Sequence, residues 1–231
     1  MAVAYGGLLY GLNVTGTPHT STSVTLPSGA YAIASWFGSP TILAGPITIS
    51  DSAGGTWVAI QTGTVGASPQ PAYGTWIRTT VGTGTSFTVT VSMGTATRAN
   101  VLTITYWTGT NGTVSSVTTG TGTTAYPSVV TPTSNGVGDM FIAVGAAAGS
   151  TATNNATAST GFTLATSIAG ATPAFTSNNL EYQVSITSGE TKTASFTKTG
   201  SGTISGTRVS TFVLRASSYP NTPFVGWGMR L

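Results

Sequence analysis

The sequence contains no cysteine, one histidine, four carboxylates and only 5% charged residues over 231 positions. Without thiols there are no disulfide frameworks, no thiolate zinc sites and no cysteine nucleophile. An ordinary soluble domain carries roughly 25% charge, so a solvated, charge-rich disordered chain is excluded. The net charge of +3 arises from seven bases and four acids. Arg78, Arg98, Lys192, Lys198, Arg208, Arg215 and Arg230 are scattered along the chain. Nucleic-acid binding needs clustered cations that displace counterions from phosphates, so no nucleic-acid partner is expected. Long apolar runs are missing too. The most hydrophobic stretches, 30–37 and 140–148, fall far short of the roughly 20 residues that span a bilayer, and no basic leader precedes an apolar run at the start. No membrane insertion is expected.

The same scarcity lets enzymatic readings be tested almost one by one. His19 lies in Thr17-Pro18-His19-Thr20-Ser21, which reads as a solvated loop. A triad would have to recruit Asp51 or Asp139 to it, and the G-x-S-x-G elbow is absent. A glycosidase pair would have to come from Asp51, Asp139, Glu181 and Glu190. Asp51 opens a Gly-rich turn it can cap, Asp139 follows Gly138 before a strand, Glu190 follows a Ser-Gly turn, and Glu181 is expected to face outward from a strand. Calcium could draw oxygens from Asp51, Asp139, Asn154 and Asn155, but EF-hand spacing is absent. The expectation is a non-enzymatic chain with no catalytic residue, cofactor or metal.

What is present is strand and turn chemistry. In Ser86-Phe87-Thr88-Val89-Thr90-Val91-Ser92, Phe87, Val89 and Val91 share one face and hydroxyl residues the other, the period-two pattern of a half-buried strand. Similar patterns occur at 47–50, 57–62, 73–79, 101–107, 140–144, 180–185, 191–197 and 209–215. The 31 glycines cluster between them at turn positions. No long segment has helical periodicity, and 143–158 reads as a strand running into a loop.

The chain also repeats weakly at a spacing of about 105 to 110 residues. Ala30-Tyr31-Ala32-Ile33-Ala34 aligns with Met140-Phe141-Ile142-Ala143-Val144, Trp57 with Phe162, Trp76 with Tyr182, Val89 with Phe196, and Val101–Ile104 with Val209–Phe212. This predicts an all-β, two-sheet antiparallel sandwich over 19–216, built from pseudo-repeats at about 20–110 and 120–216. Two tandem small sandwiches remain the alternative. Outside it lie an N-terminal arm, 1–18, and a C-terminal tail, 217–231. Their apolar side chains, Tyr5, Leu8, Leu9 and Tyr10, then Tyr219, Phe224, Trp227 and Leu231, are costly to leave in water. They either pack on their own sandwich or dock on neighbouring subunits. Five tryptophans offer a further reading: Trp36, Trp107 and Trp227 at strand ends and in the tail could stack on a sugar.

Leu26-Pro27-Ser28-Gly29 leading into Ala30–Trp36, Ile47–Trp57 with its Asp51-Ser52-Ala53-Gly54-Gly55 turn, Trp76-Ile77-Arg78, Tyr106-Trp107-Thr108-Gly109, Gly138–Val144 and Gly161-Phe162-Thr163-Leu164 together resemble a Thr/Ser/Gly-rich sandwich module of phage virion proteins and bacterial surface proteins. The resemblance covers about 20–216. It implies a jelly-roll-like structural or adhesive module, located in the virion, with no catalytic residues to carry over. Expected partners are major capsid or tail proteins and further copies of the chain, in a capsid decoration or a tail appendage. The alternative is a carbohydrate-binding or adhesin module that recognises a host-surface glycan. The tail segment Pro223–Leu231 is similar to endings of minor tail proteins of phages infecting actinobacteria.

Overall fold

A computed structural model describes residues 1–16, 18–40, 46–64, 72–93, 97–149, 155–169, 175–199 and 204–217. All regular structure among them is β. The first half contributes β1 (Ala4–Val14), β2 (His19–Thr20), β3 (Val24–Thr25), β4 (Tyr31–Pro40), β5 (Thr48–Asp51), β6 (Trp57–Thr64), β7 (Ala72–Arg78), β8 (Ser86–Phe87), β9 (Val89–Ser92) and β10 (Thr97–Thr108). The second contributes β11 (Thr110–Val114), β12 (Thr118–Gly122), β13 (Val129–Val130), β14 (Met140–Gly149), β15 (Asn155–Thr157), β16 (Thr163–Ala169), β17 (Phe175–Val184), β18 (Thr193–Ala194), β19 (Thr197–Thr199) and β20 (Ile204–Ala216).

Each half forms one large antiparallel sheet, in the orders β1-β10-β4-β7-β6 and β11-β20-β14-β17-β16, with β12 also on β20. Read along the chain, the two orders have the same connectivity, so the repeat seen in the sequence is a repeat of topology. Short ladders, β2-β9-β5 and β3-β8 in the first half and β13-β18 and β15-β19 in the second, lie over the outer face of each large sheet.

Three apolar layers result. Leu26, Trp36, Trp76, Phe87, Val89, Leu102 and Ile104 fill the first half. Tyr126, Phe141, Phe162, Phe196, Val209 and Val213 fill the second. Between the two large sheets lie Ile33, Ile77, Trp107, Ile142, Leu180, Phe212 and Leu214. The large sheets therefore face each other as a sandwich, and each also closes a core of its own. This double coverage explains why 30–37 and 140–148 are the most hydrophobic stretches: a strand buried on both faces reads as a continuous apolar run.

The face assignments correct the residue-level alignment of the repeat. Ala32 faces the first core, whereas its sequence counterpart Ile142 lies between the sheets. Leu102 and Ile104 face the first core, while their counterparts Ser210 and Phe212 do not; Val209 and Val213 face the second core instead. Trp76 and Tyr182 are likewise on opposite faces. In these strands the alignment is one position out of register, and a slip of one turns every side chain to the other face; Trp57 and Phe162 do face corresponding cores. Val89 with Phe196, on the covering strands, do fall on matching faces.

Two other expectations are corrected. The run 86–92 is two strands, because at Thr88 the backbone leaves the ladder: its N–H donates to Ser52 Oγ at 2.9 Å, and its carbonyl accepts from Ser52 N–H at 3.0 Å. The arm 1–18 is mostly β1, an edge strand paired with β10 over nearly its whole length. Its pattern was hidden by Gly6, Gly7 and Gly11. A Cβ on Gly6 would lie 2.0 Å from the Tyr106 ring and one on Gly11 2.2 Å from Ile168, and the register shifts between Tyr5 and Gly7.

The halves meet in a reciprocal manner. Gly11 on β1 lies under Ile168 on β16, and at the other edge Gln61 on β6 exchanges hydrogen bonds with Thr119 on β12 at 2.8 and 3.1 Å. Since β1 corresponds to β11 and β12, and β6 to β16, the same pair of edges meets twice. This is an approximate two-fold arrangement, the geometry of an isologous dimer held within one chain. Truncating the shared layer should therefore weaken both halves together. Phe212→Ala is expected to cost about 3 to 5 kcal/mol and to lower the midpoint of a single calorimetric transition; two separated transitions would show that the halves unfold independently.

Candidate functional site

The four acids and the one histidine are all committed to the fold. Asp51 accepts backbone N–H groups from Ala53 (3.0 Å) and Gly55 (2.9 Å), the Trp57 indole N–H (2.8 Å) and Arg78 Nε (2.8 Å). Burial alone would raise its pKa, but the Arg78 guanidinium, the Gly55 N–H and the Trp57 indole outweigh it and hold the carboxyl below its ordinary value. Gly55 is required here, since a Cβ would sit 2.3 Å from the Arg78 guanidinium. Arg78 in turn lies over the Phe87 ring at 4.7 Å.

Asp139 does the same work in the second half. It accepts from Asn135 N–H (2.8 Å), Ala216 N–H (2.9 Å) and Arg215 Nη1 (2.8 Å). Against the upward push of burial, these donors keep its pKa low. Glu190 is paired with Lys192, which lowers its pKa, and also accepts from Ile186 N–H at 3.1 Å. Asp51 is thus the turn cap expected from the sequence.

Glu181 and His19 depart from expectation. Glu181 is fully buried instead of facing outward. It accepts Ser159 N–H and Ser159 O–H, both at 2.6 Å, and among the described residues no cation pairs with it. Burial raises its pKa despite those bonds. His19 is also fully buried, not a solvated loop residue. Its Nδ1 meets Asn100 Oδ1 and its Nε2 lies 3.0 Å from Tyr10 O–H. Asn100 Oδ1 also accepts the Trp36 indole N–H at 3.2 Å, and Asn100 Nδ2 donates to the Gly16 carbonyl at 2.6 Å. The amide closes a chain that ties β1, β2, β4 and β10 together, with the imidazole protonated at Nδ1 and accepting at Nε2. Burial lowers the pKa of His19 more than the Asn100 bond restores it.

The sugar-platform tryptophans are corrected likewise. Trp36 and Trp107 are 1% and 0% exposed, so neither ring offers a face to a sugar; Trp227 lies outside the described residues. Trp107 donates to Thr105 Oγ1 at 3.0 Å and packs edge-on against Tyr5 and Tyr182. Of the eight proposed assembly contacts, Tyr219, Phe224, Trp227 and Leu231 also lie outside the described residues. Tyr10 is buried, Tyr5 is half-buried against Tyr182, and Leu9 packs on the first core. Leu8 alone of the four on β1 is exposed, at 46%, and Leu12, four residues further along the strand, is 48% exposed. Among the described residues β1 pairs only with β10; β16 packs against it at Gly11, while Leu8 and Leu12 are open to another surface. For calcium, Asn154 lies outside the described residues, and those described hold no group of three acids or histidines able to bind a metal.

The molecule has two distinct poles. At one, the strand ends Pro40 with Thr97, Thr64 with Ala72, and Gly149 with Phe175 and Ile204 are paired, and Phe37 packs on Ala146 and Ala148 across the halves. At the other, the Met1 ammonium lies 3.4 Å from the Ser217 carbonyl, and Val3 N–H donates to Gly138 O at 2.8 Å. The ion pairs of Asp51, Asp139 and Glu190 belong to turns of this second, base pole. Two grooves open there, of about 650 and 620 Å³. They flank the segment Met1–Tyr5, which threads a slot left by Gly109 and Gly138, where a Cβ would come within 2.1 and 2.9 Å of the Ala2 backbone.

Two cross-half contacts had no signal in the sequence. Asn178 Nδ2 donates to the Ser35 carbonyl at 2.9 Å. Arg208, 2% exposed, stacks on Tyr73 at 3.1 Å and donates to Ser210 Oγ at 2.8 Å. Burial pulls its pKa down to about 9, and its Nη1 finds no hydrogen-bond partner among the described residues. Ser35 and Tyr73 lie more than a hundred positions from Asn178 and Arg208, so only the register brings them together.

Comparison with family models, with curated proteins and with solved structures finds no match for this chain.

The two buried groups give opposite pH responses. Below His19's ordinary value of 6.5, the unfolded chain takes up a proton that the folded state resists, so stability falls as pH drops; His19→Gln should remove that slope in urea melts. Glu181 binds its proton more tightly when folded. Its contribution is lost as pH rises above the ordinary 4.5, so Glu181→Gln should raise Tm at neutral pH and have no such effect below that value.

Proposed function

We propose that this chain is a non-enzymatic structural protein of a bacteriophage virion, a capsid decoration or part of a tail appendage. The observation that carries this reading is the commitment of every described acid and of the one histidine to turns, ion pairs and buried networks. The polar residues left for the surface are mainly Thr, Ser, Gly and Asn. Such a surface meets little electrostatic repulsion when many copies pack side by side. The exposed Leu8 and Leu12 on β1 supply a contact surface, and the base pole, where both described ends of the chain lie together, suits attachment to a particle. The resemblance of residues 20–216 to virion sandwich modules points the same way.

Quantitative mass spectrometry of purified particles tests this directly. A copy number comparable to the major capsid protein would mean decoration, and a low fixed number a tail location; absence from particles would overturn the proposal. Leu8→Lys and Leu12→Lys together are expected to change stability by less than about 0.5 kcal/mol each, as surface changes do, while lowering incorporation into particles. Undiminished incorporation would remove β1 as the contact.

A further inference from the structure

The sequence holds two Asn-Gly steps, Asn111-Gly112 and Asn135-Gly136, and the fold brings both Asn residues to the wall of the first groove. Such a step offers a backbone nitrogen to a side-chain amide with no Cβ in the way. The two are held differently. Between Thr110, opposite Ala216, and Val114, opposite Leu214, β11 leaves its ladder, so five residues face three on β20 and the first step lies in a bulge. Gly112 is required there by a φ of +75° and by the Tyr31 ring, into which a Cβ would run. Asn111 is exposed. Its Oδ1 accepts Thr113 N–H at 3.0 Å and the Thr113 hydroxyl at 2.6 Å, while its Nδ2 has no partner among the described residues. The Gly112 N–H donates to a neutral hydroxyl, Thr110 Oγ1, at 3.0 Å. At the second step no donor among the described residues holds the Asn135 amide, and the Gly136 N–H donates to the Asp139 carboxylate at 3.3 Å.

We infer that Asn111 is a site of self-modification, converting through a cyclic imide to aspartate and isoaspartate, and that Asn135 is protected from the same reaction. The Gly112 nitrogen gives its proton to hydroxide and attacks Asn111 Cγ. A C–N bond forms and closes a five-membered ring, the Cγ–Nδ2 bond breaks, and Nδ2 leaves as ammonia with a proton from water. Water then adds to either ring carbonyl and breaks its bond to the nitrogen, leaving one carboxylate at position 111. Thr113 selects this step: its two donors draw charge from Cγ, stabilise the oxyanion that forms on Oδ1, and tether the amide beside the peptide it must meet. Asp139 protects the other, because a carboxylate against the Gly136 N–H opposes loss of that proton. The change lowers the net charge of +3 by one and sets a new carboxylate in a groove already lined by Asp139 and Arg215. The inference concerns the chain itself and does not rest on the virion reading.

The test holds the folded, full-length protein at neutral and at mildly alkaline pH. Mass spectrometry with fragmentation separates position 111 from position 135, and a protein carboxyl methyltransferase reads isoaspartate. Position 111 should gain about 1 Da, faster at the higher pH, with position 135 slower by at least about tenfold. In urea, where neither Thr113 nor Asp139 holds its step, the two should convert at similar rates. Thr113→Val keeps the backbone donor and removes the hydroxyl. It should slow conversion in the folded protein by about two- to tenfold, as loss of one hydrogen bond does, and leave the rate in urea unchanged. Equal rates at the two positions in the folded protein would overturn the inference. So would a folded protein that stays unmodified at position 111 while the urea sample converts, or a Thr113→Val rate no lower than that of the parent chain.

Discussion

The packing of one large sheet against the other is the interaction on which the rest of the molecule depends. A five-stranded sheet covered on one face only by two- to four-residue strands has little to hold its other face, and short isolated ladders are marginal in water. Setting the two inner faces together removes both exposed surfaces at once. The shared layer of Ile33, Ile77, Trp107, Ile142, Leu180, Phe212 and Leu214 is therefore what allows such brief covering strands to suffice outside. The polar atoms carried into this seam are mostly matched in place, Asn178 to Ser35 and Gln61 to Thr119. Such bonds add little net stability, but they disfavour any sliding of the sheets that would leave their groups unpaired. Arg208 is a costly exception, a cation held by an aromatic face and hydroxyls; among the described residues no carboxylate lies beside it, and Thr103 Oγ1, an exception on a smaller scale, has no partner.

A chain with four acids uses each as a structural fastener. Asp51 gathers a turn, an indole and a guanidinium; Asp139 ties the end of β20 to the turn before β14. In both, the carboxylate satisfies backbone N–H groups that a turn leaves open, which is the same physical task in corresponding halves. Glu181 differs because its partners are neutral. Its strand neighbour Ala143 corresponds to Ala34 of the first half, whose neighbour is Trp76. A carboxyl thus takes the place of an indole facing the core, and Ser159 supplies the donors that make it tolerable.

Much of this was legible in the sequence, and the limits have physical causes. Period-two alternation located most strands, Gly and Asx residues located the turns, and the repeat gave the common connectivity. The register of the repeat was not legible, because strands buried on both faces carry no alternation to fix which side is which. The strand character of 4–14 was masked by glycines whose reason is a tyrosine about a hundred residues later. The burial of His19 and Glu181 was also hidden. A polar residue is assigned to the surface by default, and only the presence of Asn100, Tyr10 and Ser159 around these two makes burial affordable. The same default misplaced Trp36 and Trp107 in the other direction: each looked like the end of a strand open to solvent, and each is roofed by the opposite sheet or by the covering ladder.

The nearness of Met1 to Ser217 means that the order in which the chain visits its strands is a matter of history more than of necessity. A short link could join these two positions without spanning the molecule, and new ends could be opened in an exposed turn such as that between β5 and β6. Cut instead at the turn between β10 and β11 and closed at the base, the same residues would begin with the second half and finish with the first. Nothing in the seam between the sheets would register the change. Folding kinetics would register little of it, because β1 with β10 and β11 with β20 keep the same separations along the chain, and only contacts between the halves change their loop lengths.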